Sequence, residues 1–435
     1  KALTPRRMER LTHYVWQYRL LTPDDMVTVD GRRVCVIDPG RYNTGAGPDF
    51  FNAKVRIGDR LWAGDVEMHV RASDWHRHGH DGDRAYDSVV LHVVDADDTP
   101  IYRANGEVIA QMRMQCSPHF HEHYAQLTGR ADSGLPCVAE LSAMSPLHVT
   151  SWLTSLAYER MYAKSDALLE LLEAYTGDWQ QAVYVLLARG LGFSINAEPM
   201  QRLARAVPLA FLRRHSDSLI SIESLLFGQA GLLPDEGRAD AYGCALRREY
   251  EFYRHKFSLK PLESPGWRLK VRPTNTPVRR VAALASMLEG GFSLVSGILD
   301  AQSPDDAIEL FRKPMSGYWA HRYTFGGVEN ERVPDSLSRA SATVLTINVA
   351  VPLLVAYGTR HGDEAMVERA MEWLTQLPPE SNSVVSLFAG AGVPVRDAFG
   401  SQAVLQLRRR YCETRSCLLC RVGHRVLSRK ARREV

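Results

Sequence analysis

The sequence predicts an α+β protein: an N-terminal α/β domain on a mixed sheet, a large all-α region and a basic, cysteine-bearing C-terminal segment. Three observations lead there. Short Val-, Ile- and aromatic-rich runs separated by glycines fill residues 34–112, the pattern of strands and turns. From Ser145 to about residue 400, apolar residues recur at three- and four-residue spacing, the helical period. Between Ser401 and Val435, ten Arg or Lys residues stand against Glu413 and Glu434, a charge of +8. The expected divisions are residues 1–140, 141–400 and 401–435.

Taken in order, Thr4-Pro5 reads as a helix cap followed by proline at the first helical position. Leu11, Tyr14, Val15 and Tyr18 then predict an amphipathic helix over 5–21. Strands are predicted at Val34–Asp38, Ala53–Ile57, Leu61–Val70, Ser88–Val94 and Glu107–Met112. Val89–Val94 is apolar on both faces except for His92, as in a central strand covered on both sides. The loop Gly129–Pro136 closes this region. Helices follow at Asp166–Tyr175, Trp179–Leu191, Glu198–Val207, Ala239–His255, Val278–Leu288, Pro304–Phe311, Thr343–Tyr357 and Asp363–Gln376. No fixed-period repeat is visible, Gly326–Asp335 reads as a mobile polar loop, and a basic helix interrupted by three cysteines follows Gln402.

Bulk properties narrow the class. A length of 435 residues corresponds to two or three domains at roughly 150 residues each. With 45% hydrophobic and 24% charged residues, the composition is ordinary for a globular protein. A net charge of +3 identifies no partner by itself. Seven cysteines are an odd number, and no charged-then-apolar leader opens the sequence. Both argue against a secreted disulfide framework and predict reduced thiols in a cytoplasmic protein. The most apolar stretch, Val344–Tyr357, contains Asn348 and Pro352 and falls short of the roughly 20 residues a spanning helix needs. No membrane span is expected.

The stretch Gly45–His92 carries the chemistry. Strand alternation puts Trp62, Val66, Met68 and Val70 on one face, and Ala63, Asp65, Glu67, His69 and Arg71 on the other. Ionisable groups lined along one face repel one another unless solvent, a cation or a ligand organises them. A hairpin would bring Asp49 beside Glu67, and two adjacent carboxylates suit Mg²⁺ or Mn²⁺. His69, two residues after Glu67, would orient or deprotonate water. Five of the fifteen histidines fall between His69 and His92. His76, His78 and His80 would align along one side of an extended segment, where they could bind Zn²⁺ or Ni²⁺ adventitiously. Asp74, His76 and Asp83 read as supporting or substrate-facing groups. Against this stand plainer readings: Asp49 as a turn former, Asp65 and Glu67 as a solvated face, and His92 as a core histidine.

Pro48-Asp49, the following hairpin and Glu67-Met68-His69 resemble the signature of the PD-(D/E)xK nuclease superfamily, with His69 where lysine is usual. Histidines also occur in the active sites of some variants of that superfamily. The resemblance implies a phosphodiesterase with Asp49, Glu67 and His69 as its catalytic set. It leaves open whether His69 polarises water, binds metal or marks a degenerate site. The whole chain also resembles an uncharacterised bacterial family known only by a domain-of-unknown-function label. Its segments GPDFFNA, WAGDVEMHVRASDWHRHGHDGD, VVLHVV, LLFGQAGLL and RPTNTPVRR and its terminal cysteines carry that likeness.

Cys412, Cys417 and Cys420 form C-x4-C-x2-C, with His424 four residues on. This set suits Zn²⁺, or an iron–sulfur cluster if Cys35, Cys116, Cys137 or Cys244 supplies a fourth thiolate. The alternative is three free thiols in a helical tail. Arg408, Arg409 and Arg410 begin a basic run that would neutralise phosphates. Arg268, Lys270 and Arg272 alternate like one face of a strand, and Arg279 and Arg280 fall in the first turn of the next helix, where an anion would offset them. Salt bridges or solvation would equally satisfy these cations.

The leading expectation is a divalent-metal-dependent hydrolase, a nuclease acting on nucleic acid in DNA repair or defence. One alternative is a non-catalytic nucleic-acid- or protein-binding scaffold with a degenerate site. Another is a hydrolase of a small phosphate or sugar compound.

Overall fold

The computed structural model describes residues 5–21, 26–103, 105–129, 134–263, 266–315 and 317–428. Thr4, residues 130–133 of the expected closing loop, and Arg429, Lys430, Arg432 and Arg433 of the basic run lie outside the described residues. The protein is α+β, as its sequence predicts. Two compact units divide it: residues 1–146 with 408–435, and residues 147–407. The C-terminal segment is therefore no third division. Its Leu418, Val426 and Leu427 enter the same apolar core as the N-terminal sheet, because an amphipathic segment this short has no core of its own.

The first unit is built on a mixed sheet. Strands β1 (Val34–Asp38), β2 (Arg41–Tyr42), β3 (Phe50–Ile57), β4 (Arg60–Arg71), β5 (Val89–Ala96) and β6 (Ala110–Arg113) are arranged β1-β3-β4-β5-β6, with β2 on β3. Pairing is antiparallel from β1 to β4 and parallel from β4 to β6. Antiparallel neighbours need only a tight turn, here Gly58-Asp59, whereas the parallel β4–β5 pair requires a crossover. That crossover, Ala72–Ser88, holds the short helix α2 (Asp74–Arg77) and two 3-10 turns, His80–Gly82 and Arg84–Tyr86. It carries the histidine-rich sequence over one face of the sheet.

Helices α1 (Pro5–Gln17), α3 (Pro118–Thr128) and α4 (Val138–Ala143) complete the N-terminal part. Leu11, Val15 and Trp16 of α1 pack with Phe50, Val66, Met68, Leu91 and Val93, sealing the other face. A smaller cluster of Trp75, Tyr86, Val89, Ile101 and Ile109 lies under the crossover. With both faces covered, Val89–Val94 is buried throughout, as its apolar sequence predicts.

The second unit is helical. It contains the 29-residue helix Pro146–Ala174 and the predicted helices at Trp179–Leu191, Ala241–Lys256, Pro277–Leu288 and Glu364–Gln376. Arg268–Arg272 corrects its strand reading: it forms no strand, and Asn196 brackets Arg268 by side-chain bonds to its N–H and carbonyl. The apolar stretch read as too short for a span lies in a continuous 23-residue helix, Arg339–His361. By length and composition this helix could cross a membrane. Its apolar window is 72% buried inside the fold, as in the core helix of a globular unit. The Gly326–Asp335 loop is pinned rather than free: Met315 donates to Asp335 O at 2.6 Å and Asn330 to His321 O at 2.9 Å.

Candidate metal centre

The hairpin expectation holds at its critical point. Asn43 donates through its side-chain amide to the carbonyls of Ala46 and Pro48 at 2.9 and 3.0 Å, bracing the turn that delivers Asp49. The Asp49 N–H donates to Glu67 Oε2 at 3.0 Å, and the Met68 N–H donates to Asp49 Oδ2 at 3.0 Å. These reciprocal bonds lock the two acidic residues side by side.

The period of two places Val66 and Met68 in the helix-covered core, and Glu67 and His69 on the opposite face. In the parallel register His92 of β5 lies opposite Glu67. His69 Nδ1 is 2.8 Å from His92 Nε2, and His69 Nε2 is 3.1 Å from His78 Nδ1. Glu67 Oε1 lies 3.5 Å from His69 Nε2 and 3.4 Å from His80 Nε2. His69, His78 and His80 each offer a ring nitrogen within 4.8 Å of the others. Glu67, His69 and His92 are buried, His80 is half-buried and His78 is exposed, so the cluster is closed below and open on one side.

Burial governs the electrostatics. It pushes the Glu67 carboxyl up to about 9, with the Asp49 carboxylate adding to the rise. It pushes His69 down to about 2, reinforced by His92 and the neighbouring imidazoles, and His92 down to about 3. His80 shifts down for the same reason. Neutral imidazoles are the ligand-competent form of histidine. A proton on His69 Nδ1, donated to His92 Nε2, leaves His69 Nε2 with its lone pair toward Glu67, His78 and His80. This is the arrangement by which a second ring fixes a ligand's tautomer.

Other sequence candidates have different tasks. Asp65 accepts from the Asn52 N–H at 2.9 Å and the Ser88 hydroxyl at 2.5 Å. It thereby stabilises Asn52, whose φ of 56° marks the irregularity in β3. Asp74 accepts from the Arg71 N–H and pairs with Arg77. Asp83 caps the turn at Ala85. His76 corrects the expected three-histidine alignment. The segment is helical rather than extended, Gly79 turns it at φ 76°, and His76 pairs outward with Asp81 at 2.8 Å.

Two residues join the site that sequence reasoning did not select. His13 of α1 places Nε2 3.3 Å from Asp49 Oδ2 and Nδ1 3.4 Å from the Tyr42 hydroxyl. Tyr86 stacks on His80 with centroids 3.8 Å apart. The available signal for His13 was a histidine inside the apolar stripe Leu11, Tyr14, Val15.

The basic candidates divide by burial. Arg279 and Arg280 are both buried, which corrects their reading as phosphate contacts. Arg279 donates to the carbonyls of Trp319, Arg322 and Pro334, and Arg280 donates to Asn275 and lies over the Phe193 ring. Arg268, Lys270, Arg272, Arg409 and Arg410 are exposed, and Arg408 pairs with Glu413. His424 has aromatic partners: its Nδ1 is 2.6 Å from the Tyr14 hydroxyl, and its ring packs on Tyr18.

No curated protein and no solved structure matches the chain. A family described as Protein of unknown function (DUF2851) matches residues 9–383, a span that takes in the sheet, the histidine crossover and most of the helical unit. The chain belongs to the DUF2851 family.

Proposed function

We propose that the protein is a divalent-metal-dependent phosphodiesterase acting on nucleic acid, with Glu67, His69, His78 and His80 as the ion's ligands. One observation carries this reading. The ligand atoms are separated by 3.1 Å (His69–His78), 3.5 Å (His69–Glu67) and 3.4 Å (His80–Glu67). Four donors about 2.0–2.1 Å from one ion are separated by about 3.3–3.4 Å at the tetrahedral edge. One carboxylate and three imidazoles suit Mn²⁺, Zn²⁺ and other borderline ions better than Mg²⁺, which prefers an all-oxygen shell. A bound divalent ion supplies the charge that polarises a phosphoryl oxygen and lowers the pKa of water.

The remaining residues support that chemistry. His92 holds the His69 tautomer. Asp49 keeps 21% of its side chain exposed and has His13 beside one oxygen. It is the carboxylate left to accept a proton from water. The exposed side of the cluster, at His78, admits a substrate. Exposed Lys54, Arg56, Arg409 and Arg410 of the same unit offer cations to a phosphate backbone. The likeness of Pro48-Asp49 and Glu67-Met68-His69 to the nuclease signature favours nucleic acid as substrate over a small phosphate or sugar compound.

Chelator-treated protein resupplied with Mn²⁺ or Zn²⁺ is expected to cleave labelled DNA or RNA, and Glu67→Gln to abolish cleavage. If no divalent ion yields cleavage of single- or double-stranded DNA or RNA, the nuclease reading fails. Ion binding that Glu67→Gln does not weaken would remove the metal centre itself.

A further inference from the structure

A separate set of metal-seeking side chains lies on linked stretches of the first unit. Cys412 ends the turn Leu407–Cys412, Cys417 opens the turn Cys417–Leu419, and Cys420 precedes the helix Arg421–Ser428. Cys137 caps the start of α4. Two contacts bring these distant stretches together. Arg408 Nη1 donates to Gly134 O at 2.9 Å, three residues before Cys137. Arg425 Nε lies 3.8 Å from Glu140 Oε2, three residues after it.

The C-terminal run is tightly folded between those ties. Ser416 N donates to Tyr411 O at 2.8 Å and Cys420 N to Cys417 O at 3.2 Å. Gly423 presses on this turn so closely that a Cβ there would lie 2.0 Å from Cys417 O, so only glycine fits. Cys417 and Cys137 both pack against the core of the first unit. None of the seven cysteines is in a disulfide. Buried and half-buried thiols on stretches tied together in this way, with no disulfide to join them, suit a cation that binds thiolates.

We propose that Cys137, Cys412, Cys417 and Cys420 together ligate a metal centre, which fastens the C-terminal segment to the N-terminal sheet domain. The shared chemistry is four thiolates, met by tetrahedral zinc or by an iron–sulfur cluster. The C-x4-C-x2-C run matches a spacing used for two-iron clusters, here with the fourth cysteine upstream. Cys137 takes the place that the sequence offered to His424.

The test is metal and sulfide analysis of full-length protein purified without oxygen. Iron with matching sulfide and a visible absorption band identifies a cluster; zinc without colour identifies a tetrahedral site. Either result supports the proposal if Glu67→Gln retains the metal, which separates it from the histidine site. Cys137→Ser is expected to lose the metal, while His424→Ala and Cys35→Ser keep it. Because Cys137→Ser could fail to fold, the wild type is also titrated with an organomercurial. Release of metal in step with thiol modification is expected. Protein whose only metal disappears in Glu67→Gln, or metal retained by folded Cys137→Ser, overturns the proposal. So does thiol modification that releases no metal.

Discussion

One cluster of ionisable groups in the sheet unit is arranged unlike the buried charges of the helical unit, and unlike its own neighbours Asp65 and Asp74, which have complementary donors. In the helical unit each buried charge has a protein partner: Arg279 donates to three backbone carbonyls, Arg280 to Asn275, and Glu223 accepts the Tyr242 hydroxyl. In the sheet unit Glu67, His69, His78, His80 and His92 chiefly face one another, nitrogen to nitrogen and nitrogen to carboxylate. Buried polar groups are almost always satisfied. A buried ion supplied with complementary donors or acceptors is finished structure. A buried group of lone pairs converging on one point has the electrostatics of a cation site.

Replacing Glu67 is the strongest way to break this contrast. Glu67→Gln keeps shape and removes the ligand charge. Metal-dependent turnover is expected to fall by about 10³-fold or more, about 4 kcal/mol of barrier. Initial rates and calorimetric Mn²⁺ titration measure the loss. The metal-free variant should unfold at the same or higher denaturant concentration, because a carboxyl that burial makes hard to ionise has been replaced by an amide. A large destabilisation without metal would class Glu67 with the structural ions of the helical unit.

Arg279 tests the other half. Arg279→Ala leaves the carbonyls of Trp319, Arg322 and Pro334 without this donor and should cost about 3–5 kcal/mol. Urea unfolding followed by circular dichroism reads it. A loss below about 1 kcal/mol would show that these carbonyls are served by solvent.

These contrasts also explain what the sequence reveals. The strands, the Asp49–Glu67 convergence and the two-sided burial of β5 are legible because strand period and turn chemistry are local. The roles of Asp65 and His76 are less so, since they depend on the irregularity at Asn52 and the turn at Gly79. Arg279 and Arg280 look like phosphate contacts from their place in a first helical turn. Arg279 is satisfied by loop carbonyls some 40 to 55 residues downstream, and Arg280 lies over the distant Phe193 ring, which no local pattern encodes. His13 escapes notice for the same reason: its neighbours Asp49 and Tyr42 are distant in sequence.

Glu223 sharpens the comparison through pH. Burial raises its carboxyl from an ordinary 4.5 to about 7. Between these values the folded state holds more protons than the unfolded state, so stability falls as pH rises. Its contribution is intact below about 4.5, declines up to about 7 and is flat above. Glu223→Gln should flatten this window, removing up to about 3 kcal/mol of pH dependence. Urea midpoints of the two proteins at pH 5 and pH 8 measure it. Parallel curves would mean that Glu223 stays ionised within the fold.

The smallest expected effect belongs to His92. Its Nε2 faces His69, while its buried Nδ1 has no hydrogen-bond partner. As the residue that orients a ligand, its loss should weaken Mn²⁺ binding by about 10–100-fold. His92→Phe preserves bulk and removes the acceptor; His92→Gln restores an acceptor and should recover part of the affinity. The metal-free His92→Phe protein should lose no more than about 1–3 kcal/mol, because leaving His69 Nδ1 without its partner is partly offset by removing the unsatisfied His92 Nδ1. Normal metal affinity in both variants, with lowered stability, would make His92 a core residue. The distinction between the two units would then rest on Glu67 and the three ligand imidazoles alone.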